Sequence, residues 1–143
     1  MAVHRLGAVV RLRERSEKDA LEKLGAAVLQ TARAREALEV ARRRAAVDRR
    51  VATEVRSWEL AEDEHQLALR AVNAAAEALA RAAKVEEEAR VRHLSAYRDA
   101  EVVRRLAAAR EADALTDAEK RERKALDEIA SQRALRKQRE GGT

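Results

Sequence analysis

No proline interrupts these 143 residues, and two of the four glycines fall in the last three positions. Proline inside a helix costs about 3 kcal/mol and glycine about 1 kcal/mol relative to alanine. A run this long without breakers therefore favours long helices. The hydrophobic residues agree. Of them 34 are Ala, 15 Leu and 13 Val, against one Trp, one Tyr and no Phe. Two aromatics cannot fill a globular core, whereas high Ala, Glu, Arg and Leu is the composition of coiled coils. All-β and α/β folds are excluded, and so is a deep pocket lined by large apolar groups. The expected fold class is all-α, with two long helices in an antiparallel coiled-coil hairpin and the C-terminal helix overhanging.

With no Cys, disulfides and thiolate metal sites are impossible. No stretch approaches the roughly 18 uncharged apolar residues of a membrane span, so no direct membrane insertion is expected. The Arg-rich opening, Met1 to Arg15, has the look of a targeting peptide, but Glu14 and Glu17 follow and the same pattern continues, so it reads as helix. The net charge of +5 conceals a segregation. Residues 1–56 carry 14 basic and 8 acidic groups, residues 57–119 carry 9 and 14, and residues 120–143 carry 8 and 4. A basic first helix against an acidic second one suits antiparallel pairing.

A hairpin needs one turn. The segment Ser57 to Asp63 is the expected site, because Asp63 followed by Gln66 reads as a capping box. This predicts helix 1 over about 3–59, a turn over 60–63 marked by Trp58, Leu60, Asp63 and Gln66, and helix 2 over about 64–139. Trp58 is expected to close the hairpin end and Tyr97 to sit in the seam. Thr116 to Glu119 is a second capping match and marks a candidate break near 115. In helix 1 the apolar stripe runs through Leu6, Val10, Leu21, Leu24, Val28, Thr31, Leu38, Ala41, Ala45, Ala52 and Val55. In helix 2 it runs through Leu69, Val72, Ala76, Leu79 and Ala83, then Leu94, Ala108, Leu115 and Ile129. A turn at 60–63 brings residue 3 opposite residue 120. Residues 121–143 then form an unpaired extension, and its apolar stripe invites an intermolecular partner.

Constellations for chemistry are lacking. Glu62-x-x-His65 is a helical di-iron half-motif without the second half that such sites require. No phosphate-binding Gly-rich loop and no nucleophile–base pairing stands out. The reading is a non-enzymatic protein with no cofactor and no metal.

The two ends resemble the FliJ family. Leu126-Asp127-Glu128-Ile129-Ala130, followed by Arg133 and the basic Arg136-Lys137, is similar to that family's C-terminal signature. Arg5-Leu6, Val9-Val10, Leu12 to Arg15 and Glu17, with Ala20 and Leu24, resemble its opening helix. The resemblance implies a stalk of a bacterial flagellar, or YscO-like injectisome, type III export apparatus, cytoplasmic and peripheral to the inner membrane. It implies three partners: the export ATPase ring, the cytoplasmic domain of the export gate, and export chaperones. It transfers ring contact to Asp127, Glu128, Ala130 and Arg133, and the exposed stripe adds Leu126 and Ile129. The alternative is a basic coiled coil that binds nucleic acid, or another assembly scaffold. No interleaving of aromatic and basic residues supports nucleic acid.

Overall fold

A computed structural model of the chain describes residues 2–47 and 55–142, and the side chains of 5–47 and 57–142. Two helices account for nearly all of it: α1, Ala2–Ala46, and α2, Val55–Gly141. They pack as a helical hairpin, as expected, with no strand among the described residues. The chain divides into two compact units. One comprises residues 14–98, and the other joins residues 1–13 to residues 99–143.

In the unit of residues 14–98, the least exposed positions of α1 are Glu17, Ala20, Leu24, Ala27, Thr31, Ala34, Leu38, Ala41 and Ala45. Their spacing alternates three and four without exception, which keeps one seam facing a partner helix. On α2 the seam includes Ala61, His65, Ala68, Val72, Ala75, Leu79, Ala82, Glu86, Ala89, His93 and Ala96, again at threes and fours. In the other unit, Leu6 and Val10 on α1 and Ala100, Val103 and Ala107 on α2 are the sheltered apolar side chains. There Arg13 pairs with Asp99 at 3.9 Å.

The seam is narrow. Among the described residues the buried apolar side chains are Ala27, Leu38, Ala61, Ala89 and Ala100. Burying one methyl-sized group contributes roughly 0.8 kcal/mol, against about 1.5–3 kcal/mol for a leucine. Alanine on both sides brings the backbones close but hides little area.

Several expectations need correction. Ser57 to Gln66 is not a turn. It is regular helix near the start of α2, and Ala61 is already buried in the seam. Glu59, Leu60, Ala61, Glu62 and Glu64 are good helix formers, so their acidic cluster continues a helix rather than ending one. The helices instead part after Ala46. Asp63 and Gln66 form no capping box. Gln66 donates through Nε2 to Glu62 Oε1 at 3.0 Å, one turn back. Trp58 lies half-exposed on the fourth residue of α2. Tyr97 is also half-exposed, because Ala96 and Ala100 take the seam positions beside it.

The stripe shifts too. Leu21 and Val28 are exposed, as are Leu69, Ala76, Ala83 and Leu94, each one residue from a true seam position. Ala52 and the side chain of Val55 lie outside the described residues. There is no break near 115. The Thr116 hydroxyl donates to the Ala112 carbonyl oxygen at 2.9 Å within continuous helix.

Candidate functional site: an exposed helical extension

From Ala108 to Gly142 every residue is exposed. The expected extension, residues 121–143, therefore begins about thirteen residues earlier. The offset follows from the misplaced turn: moving the helix break towards the N-terminus brings forward the point where α1 has nothing left to pair. From 108 to the end of α2 the extension is about 50 Å long at 1.5 Å per residue.

The extension carries Leu115, Leu126, Ile129 and Leu135 as exposed large apolar side chains, at 65%, 60%, 48% and 57%. Leu115, Leu126 and Ile129 share one face at heptad spacing, whereas Leu135 lies on the opposite one. That face does not continue the hairpin seam. The seam in this unit ends at Ala100, Val103 and Ala107. The stripe runs through Ala108, Ala112, Leu115, Glu119, Glu122, Leu126, Ile129 and Arg133, one or two residues off the continuation of that seam and thus on a different face of the helix.

Of the six residues singled out in the sequence, the helix gathers four. Leu126, Ile129, Ala130 and Arg133 share the stripe face. Asp127 and Glu128 lie about 100° and 200° from Leu126, so no flat surface touches all six. All six are exposed.

A polar layer in the hairpin was not legible as such in the sequence. Thr31 is 2% exposed, and its hydroxyl donates to the Ala27 carbonyl oxygen at 3.1 Å. The same hydroxyl reaches the Glu86 carboxylate on α2. Arg90 donates to Glu86 Oε1 at 3.0 Å. This Arg90 hydrogen bond, with help from Thr31 and from the charges of Arg90 and Arg35, holds the Glu86 carboxyl below its ordinary pKa, against the opposing effect of desolvation. Thr31 read as one more apolar-stripe position, and only the four-residue spacing of Glu86 and Arg90 hinted at the layer.

Elsewhere the described surface offers shallow grooves. One of about 660 Å³ lies along the hairpin, with Val40, Ala41, Leu67 and Ala71 between Arg33 and Arg44. Beside it a cleft of about 340 Å³ is lined by Arg44, Val47, Glu64 and His65. Among the described residues no group of three or more His, Cys, Asp or Glu side chains is placed to hold a metal ion, and no helix is long and apolar enough to cross a membrane. His65 stands on the seam, and Glu62 of the same motif accepts a hydrogen bond from Gln66.

The family model described as flagellar FliJ protein matches residues 1–139. No curated protein and no solved structure matches the chain.

Proposed function

Taking as premise that this chain belongs to the FliJ family, whose model spans residues 1–139, we propose that it serves as the non-enzymatic central stalk of a flagellar protein export apparatus. Membership itself points to an export-apparatus component rather than an enzyme. The finer reading is that the extension from residue 108 enters the ring of the export ATPase. The observation that carries it is the uninterrupted exposure of 108–142 together with an apolar stripe that α1 does not cover.

A ring of like subunits responds to an asymmetric insert when the insert binds some subunit states better than others. Its effect on turnover is then that difference in affinity, and the insert performs no chemistry. Leu126, Ile129, Ala130 and Arg133 are the proposed ring-facing side chains, with Asp127 and Glu128 reaching neighbouring subunits from the flanks. A helix inside a ring meets protein on every side, so residues spread around it can all make contact. The remaining partners, the cytoplasmic domain of the export gate and the export chaperones, belong to the same proposal, as does a cytoplasmic location peripheral to the inner membrane.

The test is steady-state ATP hydrolysis by the cognate export ATPase, with the full chain and with a chain truncated after Ala107. Stimulation by the full chain alone supports the reading. Equal stimulation by the truncated chain moves the working surface to the hairpin. Failure of the full chain to bind the ATPase overturns the stalk assignment.

A further inference from the structure

The stripe of the extension has an order that ring insertion does not require. Its successive positions are Glu119, Glu122, Leu126, Ile129, Arg133 and Arg136, all exposed. Two acids, two aliphatics and two bases follow one another at spacings of three and four. The pattern is its own complement when reversed. The charge of the whole extension changes sign in the same way. Residues 108–119 carry one basic and four acidic groups, and residues 120–142 carry eight basic and four acidic.

We propose that two copies of this chain pair through their extensions, antiparallel and about a two-fold axis, with residues whose numbers sum to 255 opposite each other. In that register Leu126 of each copy faces Ile129 of the other. Glu122 faces Arg133, Glu119 faces Arg136, and only beyond these six positions does Leu115 fall opposite a charge, at Glu140. The two-fold axis repeats each pair, giving a short apolar centre with two ion pairs on either side. Such an interface is isologous, and it closes at two copies rather than growing into a filament.

Competing arrangements lack this match. A parallel pair stacks Glu on Glu and Arg on Arg. An antiparallel pair one heptad shorter, at a sum of 248, sets Glu122 against Leu126 and Arg133 against Leu115. One heptad shorter again, Glu119 faces Glu122. Within a single chain the stripe places like charges three residues apart, Glu119 with Glu122 and Arg133 with Arg136, which disfavours the lone helix. Antiparallel pairing relieves both. Beside the stripe, Ala118, Ala125 and Ala130 leave room for close approach of a second helix.

Pairing covers Leu126, Ile129 and Arg133, the side chains proposed above for the ring, so an extension is either paired or inserted. The self-pairing is measured on the chain alone, without ATPase, so either reading can fail while the other stands.

The experiment is sedimentation equilibrium of the full chain and of three charge variants. Arg133→Glu with Arg136→Glu makes the stripe all-acidic, and Glu119→Arg with Glu122→Arg makes it all-basic. Each is expected to raise the dimer Kd at least about tenfold, because like charges then oppose. Mixing the two is expected to restore association as a heterodimer. The fourfold swap, Glu119→Arg, Glu122→Arg, Arg133→Glu and Arg136→Glu, is expected to restore self-association. The wild-type dimer is expected to weaken as ionic strength rises.

Direction is read from a spin label at Arg139→Cys, which is unambiguous in a chain with no native Cys. Antiparallel pairing at a sum of 255 sets the two labels about 35 Å apart along the axis, whereas parallel pairing sets them side by side. A wild-type chain that stays monomeric up to about 1 mM overturns the proposal. So does association that survives in both the all-acidic and the all-basic variant, or a side-by-side label distance.

Discussion

Thr31 has one hydroxyl proton and two acceptors within reach, the Ala27 carbonyl oxygen and the Glu86 carboxylate. Its neighbours in the seam are mostly alanines, which slide past one another with little loss. A polar contact across such a seam favours one register of α1 against α2, as polar seam residues do in other coiled coils. Thr31→Val keeps the shape and removes the hydroxyl. It is expected to cost about 1 kcal/mol in urea unfolding at neutral pH. The pH dependence follows from Glu86, whose folded-state pKa lies below the ordinary 4.5 because of Arg90 first and Thr31 next. A depressed carboxyl stabilises the fold above its unfolded pKa, and that contribution is lost as pH falls through the lower folded value. Glu86→Gln should be less stable than wild type at neutral pH, and the gap should close on acidification below about 4.5. Parallel unfolding curves down to strongly acidic pH, with a constant gap, would contradict this. Leu38 is the one large apolar side chain that is buried among the described residues. Leu38→Ala should cost roughly 2–3 kcal/mol, near the low end for such truncations because a narrow two-helix seam relaxes readily around the gap.

At the scale of the element, the position of the helix break is the sharpest question. Asp63 was expected in a turn and lies on the ninth residue of α2, two residues beyond buried Ala61. Proline tolerates a turn but not a helix interior, where it removes a backbone hydrogen bond and clashes one turn back. Asp63→Pro is therefore expected to cost about 3 kcal/mol and to lower helicity by circular dichroism. A variant as stable and as helical as wild type would restore the turn at 60–63. The sequence misled here for a physical reason. An acid followed by Gln three residues later is a cap only where the helix begins, and inside a helix Gln66 bonds instead to Glu62, one turn back. The fold class was legible because it rests on missing breakers and missing aromatics, which no local ambiguity reverses. The seam was legible on α1 at Leu24, Thr31 and Leu38, where spacing and size agree. On α2 it was legible at Val72 and Leu79 and not elsewhere, because leucines such as Leu69 and Leu94 are exposed while Ala68, Ala89, Ala96 and Ala100 are packed. Hydrophobicity alone ranks those positions in the wrong order. Close helix approach selects small side chains for the seam and leaves larger ones on its flanks.

For the whole molecule, the extension and the hairpin separate stability from function. A residue that is exposed throughout contributes little to folding, and substitutions at such sites usually stay within about 0.5 kcal/mol. Everything from 108 to 142 meets that condition. Truncation after Ala107 is thus expected to leave the free energy of unfolding of the hairpin within about 0.5 kcal/mol of the full chain, while the helical signal falls in proportion to the residues removed. Ala107 is the last sheltered position, so cutting further back, after Arg98, removes buried Ala100 and the Asp99 partner of Arg13 and should lower stability measurably. The contrast between the two truncations locates the boundary. If cutting at Ala107 already destabilises the hairpin, the extension packs on something within the same chain. If neither cut matters, the pairing of residues 1–13 with residues 99–107 adds nothing to stability. Stability that is insensitive to the first cut and sensitive to the second leaves the exposed stripe without a folding role. Its leucines and isoleucine then need a second molecule to explain them, whether a ring of ATPase subunits or another copy of the chain.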